Sequence, residues 1–408
     1  MKTGLKGLML TTALVALTAL PAFAQDNENP FLRGRYVAVT DRDQPEFDPE
    51  PMHVSTFDVL ASIGLSAAYN DNILAEPNNE KSDTILRAQP AVEARSNWSV
   101  HEVSGGLSVD HKEYLDNGSE SATDYDGFAN GRLDVSRNFV MSVGGNVGHR
   151  TEERYEAASF GVAERAAYDY TGAFVRGLYR MDRFQVEGTV GVTDDSFDQA
   201  TQALIRDNTT TYVNGRVSYA ISPDIAVFVQ ARHSDLDYSD NTRDGTRTTV
   251  DAGVNFELAA PFRGEIAVGS FEEDRDTFGK TNGLNVSANV QWFPTQLTTV
   301  TFSANRGVAD AGLAAAASSV NTGYGVRVDH ELLRNVLLFA RVRQEKNEYQ
   351  GIDRDDEALS AGIGAAWKLN KNARVEAEYS ARSQDSSGLN TGPSLDQNVI
   401  SIGLRLFP

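Results

Sequence analysis

The sequence predicts an all-β protein: a transmembrane antiparallel up-and-down β-barrel of about 18 strands, with 16 the other count that the pattern allows. Three observations carry that expectation. From Val59 to Phe407 the chain is a succession of segments, each about ten residues long, in which apolar and polar side chains alternate. The connections between segments alternate between short and long. An export signal precedes them all.

That signal is residues 1–24. Lys2 and Lys6 supply the positive start, Leu8 to Leu17 the apolar run, and Ala22-Phe23-Ala24 a small-residue cleavage site before Gln25. The apolar run is too short for a membrane anchor and ends at Pro21. Residues 25–56 carry Pro30, Pro45, Pro49 and Pro51 among Asp and Glu and show no helix or strand period, so they read as an extended periplasmic segment. Residues 57–408 form the barrel.

The strand rule is clearest in 284–292, where Leu284, Val286, Ala288, Val290 and Trp292 share one face and Asn285, Ser287, Asn289 and Gln291 the other. Segments 249–258, 374–382 and 184–193 repeat it. Period two places successive side chains on opposite faces of a strand. Short connections fall near Asn97, Arg137-Asn138, Met181-Asp182, Ser222-Pro223, Ala259-Ala260-Pro261, Pro294-Thr295-Gln296, Arg334-Asn335 and Asn370-Lys371. Long ones fall near 70–82, 113–122, 152–166, 195–206, 237–245, 275–279, 308–316, 348–354 and 384–394. Eight short and nine long connections bound eighteen strands, with turns on the periplasmic side and loops outside. Ala309 to Ser319, small and apolar, reads as a loop folded toward the lumen.

A soluble β-sandwich also alternates. Against it stand the charge-dense polar face, the bilayer-spanning segment length, and aromatic residues near segment ends: Tyr69, Trp98, Phe139, Phe184, Phe262, Trp292, Phe293 and Trp367. Lipid offers no partner to a backbone N–H, so a sheet within it must close. The apolar face then meets outer-membrane lipid and the polar face an aqueous lumen. The terminal strand alternates Ile400, Ile402, Leu404 and Leu406 with Ser401, Gly403 and Arg405 and ends in Phe407, the kind of ending that barrel-insertion machinery reads; Pro408 departs from that pattern.

Composition excludes other classes. There are 57 acidic and 37 basic residues, a formal charge of −20, and no cysteine. A chain this acidic, without a basic cluster, is not built for nucleic acid. Thiol chemistry, disulfides and Cys-ligated metals are absent. No apolar run has the length that a helical membrane bundle needs.

The candidate functional residues are charges on the wet face. Arg374, Glu376, Glu378 and Arg382 share a face, with Arg405 on the last strand. Arg327 and Asp329 share another, and Arg341 and Arg343 a third. Arg87, Glu93, Arg95, Arg132, Asp134, Arg176 and Arg216 occupy similar positions upstream. They form either a mixed-sign pore wall that selects solutes or a ladder of salt bridges that stiffens the barrel; the pattern allows both. His111, His149 and His233 fall near outer strand ends, but their spacing implies no ligand set, so no metal and no cofactor is expected. His233-Ser234-Asp235 is adjacent in sequence, yet neighbours on a strand point to opposite faces. No catalytic residue is assigned, and no enzyme is expected. The acidic loops at 194–198, 272–276 and 353–357 match no EF-hand and read as solvated surface.

A family resemblance adds to this. Pro45-Glu46-Phe47-Asp48-Pro49, Tyr69-Asn70-Asp71-Asn72-Ile73, Lys81-Ser82-Asp83, Gln89-Pro90, Ser96-Asn97-Trp98-Ser99-Val100-His101 and Tyr125 follow in an order that resembles the putative β-barrel porin 2 family of Gram-negative outer-membrane proteins. The resemblance is sharpest over residues 45–180. It implies an outer-membrane barrel acting as a passive porin-like channel, or as the exit pore for a secreted exopolysaccharide with periplasmic export components as partners. The reading from a different class is a non-conducting structural barrel that displays acidic loops.

Overall fold

The computed structural model describes residues 34–258, 261–392 and 394–408. The 1–24 signal and the Ala259-Ala260 part of one turn lie outside them. A short β1 (Met52–Val54) leads into eighteen long strands. They are β2 (Phe57–Asn70), β3 (Asp83–Ser96), β4 (Glu102–Tyr114), β5 (Ala122–Asp134), β6 (Phe139–Thr151) and β7 (Ala167–Met181), then β8 (Phe184–Phe197), β9 (Asn208–Ser222), β10 (Ile225–Tyr238), β11 (Gly245–Glu257), β12 (Phe262–Arg275) and β13 (Gly279–Thr295). The last six are β14 (Thr298–Leu313), β15 (Ala316–Leu333), β16 (Val336–Tyr349), β17 (Asp355–Asn370), β18 (Ala373–Ser387) and β19 (Leu395–Leu406). Each pairs antiparallel with the next, and β19 pairs with β2 from Val399↔Asn70 to Leu406↔Ile63, which closes the ring.

Closure is incomplete at the periplasmic end, because β19 stops opposite Ile63 while β2 begins at Phe57. There β1 folds back as a hairpin and pairs Met52↔Val59 and Val54↔Phe57. An edge that would present unpaired N–H and C=O groups is thereby covered.

The eight short connections lie where the spacing predicts. The nine at the other end range from two residues to the fifteen of 152–166, and one holds the helix α1 (Ala200–Arg206). Segment 308–316 is the exception among the long loops. The strands continue through it, β14 to Leu313 and β15 from Ala316, around a two-residue turn. Small residues there suit a hairpin that leans over the mouth: Ala311 and Ala316 pack with Tyr349, so bulk is excluded.

The outer rows are apolar and bare. Val190 is 57% exposed and Ile402 60%, as are their neighbours in kind along every strand. In water so large an apolar surface would drive association; in a bilayer it meets hydrocarbon. Of the predicted girdle aromatics, Phe293 differs. It turns inward, is buried, and stacks on Tyr36 at 5.1 Å.

The alternation makes a sharp test. Val190→Arg, on the outer row of β8, should lower unfolding stability in lipid vesicles by about 2–4 kcal/mol, whereas Thr189→Arg, on the inner row beside it, should change it by less than about 1 kcal/mol. Equal effects would mean that the two faces are misassigned.

Candidate functional site: the barrel lumen

Cross-strand register puts one alternate, mostly polar row of each of the eighteen strands on the inner face, and there charge is paired along the wall. Arg87 Nε lies 2.5 Å from Asp110 on the next strand. Arg95 reaches Glu102 at 2.8 Å, and Arg132 lies between Glu102 (3.5 Å) and Asp134 (3.3 Å). Arg176 pairs with Glu187 at 2.7 Å and Arg216 with Glu265 at 2.8 Å. On the far arc Arg327 meets Asp329 at 2.8 Å, Arg343 meets Glu345 at 2.8 Å, and Arg341 bonds Glu378. Arg382 approaches Glu345 at 3.7 Å, and Arg374 approaches Glu376 at 3.7 Å. Arg405 is buried and donates to Ser62 Oγ at 3.5 Å. Glu93 stands on the same face of β3, opposite Leu60. These pairs join one strand to itself or to a strand at most three places along the ring of eighteen, so they coat the wall rather than bridge the bore.

A second device thins the wall. Seven inward aromatic rings stand directly opposite a glycine on the adjoining strand: Phe128 with Gly106, Phe174 with Gly144, Tyr170 with Gly148, Tyr212 with Gly191, Phe228 with Gly253, Phe271 with Gly283, and Phe339 with Gly364. A Cβ built on any of the seven glycines would fall within 3.0 Å of the facing ring. Each ring therefore occupies the space of the missing side chain and lies along the wall.

The bore is narrowed at its outer end by loop 152–166, which leaves between β6 and β7 and crosses to the opposite wall. Ala157 packs against the Ala311–Ala316–Tyr349 cluster. Tyr349 belongs to β16, nine strands from β7 in a ring of eighteen. Tyr155 clusters with Ala75 and Leu395, and the Arg382 guanidinium sits 4.2 Å above its ring. Gln384 Nε2 donates to the Tyr155 carbonyl at 3.4 Å.

Buried charge folds this loop. Arg154 donates through Nε and Nη2 to both oxygens of Glu120 at 2.9 and 2.6 Å. Its other donors reach the carbonyls of Ser159, Val162 and Ala163. All five guanidinium N–H groups are thus used. Arg165 also approaches Glu120, at 3.3 Å. The loop is tied to the wall by Lys112–Glu153 at 2.8 Å and to α1 by Arg206–Glu152 at 2.7 Å. Burial pushes the Glu153 carboxyl up, but Lys112, Arg165 and Arg87 outweigh that and hold it below its usual value. Glu156 goes the other way: burial, and then neighbouring Glu152, push it up to about 8.

The inner end of the bore is bordered by residues 34–51. The sequence reads 25–56 as an extended periplasmic segment; its described part lies against the inside of the rim. Glu257 accepts from the backbone N–H of Gly34 (3.1 Å) and Tyr36 (3.2 Å), and Thr299 Oγ1 from that of Val39 (3.0 Å). Arg42 pairs with Glu331 at 2.9 Å and Lys368 with Asp48 at 2.9 Å. Arg35 pairs with Asp224 at 2.7 Å and Arg334 with Glu46 at 3.4 Å. The strap touches the five periplasmic turns from β9–β10 to β17–β18, half of the ring.

Sequence reading missed Glu120, Arg154, Arg165 and the strap contacts. The cluster Glu152-Glu153-Arg154 at the head of the longest loop was the available signal. Spacing alone also implied no carboxylate partner for His149. The structure brings His149 together with Asp169 and Asp198, while His233 bonds Thr248 and His111 bonds Thr123 and lies 3.5 Å from a single carboxylate, Glu113.

Comparison with known proteins decides the family. The family described as Putative beta-barrel porin 2 matches residues 44–407. The chain belongs to this family. Solved structures share the fold: the outer-membrane protein OpdK of Pseudomonas aeruginosa is 10% identical, with 86% of this chain and 99% of that one covered and a TM-score of 0.50. OccK2 (OpdF) of the same organism, solved in complex with glucuronate, is 12% identical, with 86% and 98% covered and a TM-score of 0.50. No curated protein sequence matches. The protein is thus a porin-like barrel of the outer membrane, and family and fold point to a channel rather than to an enzyme.

Removing the carboxylate that binds two arginines should release the loop. Glu120→Gln leaves Arg154 and Arg165 without their buried counter-charge, at a cost of about 3–5 kcal/mol. Limited proteolysis of the folded barrel should then cut within 152–166, whereas the wild type resists; an uncut variant would show that Glu120 does not hold the loop.

Proposed function

We propose that the protein conducts small hydrophilic solutes passively through a bore whose width is set by loop 152–166. The observation that carries this reading is the direction of the ion pairs. A filled structural barrel would need charges bridging across the interior, whereas Arg95–Glu102–Arg132–Asp134 and Arg341–Glu378 run along the wall. Mixed-sign walls around water favour hydrated solutes over apolar ones.

The second reading, an exit pore for a secreted exopolysaccharide, is favoured by one feature: the bore is restricted at both ends, by the loop outside and the strap inside. A pore that opens only for an exported chain should be narrow at rest. Partners in the periplasm would then act on the strap, whose pair Arg334–Glu46 at the β15–β16 turn is exposed.

Planar-bilayer recording tests the proposal. Replacing residues 154–164 with a short Gly-Ser linker should raise single-channel conductance several-fold over wild type, because the element that crosses the bore is gone. A barrel silent both with and without the loop would contradict conduction and leave the structural role. Loss of surface polysaccharide on gene deletion would support the exit pore; its retention, together with steady wild-type conductance, would support the general channel.

A further inference from the structure

Three side chains outside the lumen come together at the root of the crossing loop. His149 lies near the end of β6, Asp169 near the start of β7, and Asp198 just beyond β8. His149 and Asp169 are direct cross-strand partners on the outer face. The three offer one imidazole nitrogen and two carboxylate oxygens, all within 4.8 Å of one another.

We propose that His149, Asp169 and Asp198 bind a first-row divalent transition cation such as Zn²⁺ on the outer rim of the barrel. Spacing is the first support. His149 Nδ1 and Asp169 Oδ1 stand 2.9 Å apart. Two donors about 2.1 Å from a tetrahedral Zn²⁺ are separated by about 3.4 Å, so opening this hydrogen bond by about 0.5 Å makes room for the ion. Orientation is the second. Tyr125 stacks on the imidazole, with ring centroids 5.8 Å apart, and its hydroxyl donates to Asp169 at 3.4 Å. The Asp198 backbone N–H donates to the Ala167 carbonyl at 2.9 Å, which fixes the third donor beside the start of β7.

Donor chemistry selects the metal. Ca²⁺ and Mg²⁺ take oxygen ligands, whereas an imidazole with two carboxylates suits Zn²⁺ and its neighbours. Three protein donors leave coordination positions for water. Location gives the cation a mechanical role: His149 precedes Glu152 by three residues, Asp169 follows Ala166 by three, and Asp198 leads into α1, whose Arg206 holds Glu152. A bound ion would staple both ends of loop 152–166 to the segment that braces it. Binding itself does not rest on the channel reading.

Isothermal titration of the purified, chelator-treated barrel in detergent with Zn²⁺ tests the site. One equivalent should bind, at least tenfold more tightly than Ca²⁺. His149→Ala should weaken it tenfold or more, and Asp198→Asn, a loop change that spares the strands, should do so as well. His111→Ala and His233→Ala, on the same rim, should bind as the wild type does. Heat-modifiable gel mobility reports that each variant is folded. Wild-type titrations in folded Asp198→Asn and His149→Ala, or no saturable binding by millimolar Zn²⁺, would overturn the proposal.

Discussion

The fold depends on one constraint: within hydrocarbon, every backbone N–H and C=O of a sheet must find its partner inside the protein. An eighteen-stranded sheet meets it by pairing β19 with β2. Where that pairing runs out, β1 takes over the exposed edge of β2. Closure fixes the sidedness of everything else. Because side chains alternate with period two, a row of Val, Ile and Leu that faces lipid commits the intervening row to an enclosed interior.

That interior has to hold charge without filling. It does so in two ways, both local. Arginines and carboxylates neutralise each other between near neighbours, so few charges face the bore unpaired at the cost of desolvation. Aromatic rings lie in the spaces left by glycines on the next strand, which keeps bulk against the wall. What crosses the bore is then a matter of inserted chain: loop 152–166 from outside, folded around Arg154, and the strap 34–51 along the inner rim. Glu152 at the head of the same loop binds Arg206 of α1, so the outer restriction is one connected body rather than a free lid.

Much of this was legible in the sequence, because it follows from short-range rules. Period two in β8, β13 and β18 gave the two faces, and turn chemistry such as Ser222-Pro223 and Arg334-Asn335 gave the periplasmic side. The failures share a cause, which is contact between segments far apart in the chain. The Ala309–Ser319 stretch looks like a loop because it lacks polar alternation; its small residues instead serve packing against Tyr349 and Ala157. Phe293 looks like a girdle residue until Tyr36 is seen to lie on it. The proline-rich strap has no period of its own, and its position is set by Glu257, Thr299, Glu331 and Lys368, each more than two hundred residues away. The partnership of His149 with Asp169 is set by strand register and cannot be read from spacing.

The claim on which the account turns is that loop 152–166 lies inside the barrel and spans it. The chain has no cysteine, so engineered thiols report without background. In the double variant Ala157→Cys/Leu313→Cys, a short thiol–thiol cross-linker applied to the folded protein should join the loop to the far wall in high yield and shift its gel mobility. A control pair of Ala157→Cys with Thr189→Cys, near the middle of β8, should not react. Absence of cross-linking at 157/313 in folded protein would place the loop outside the bore and contradict the account.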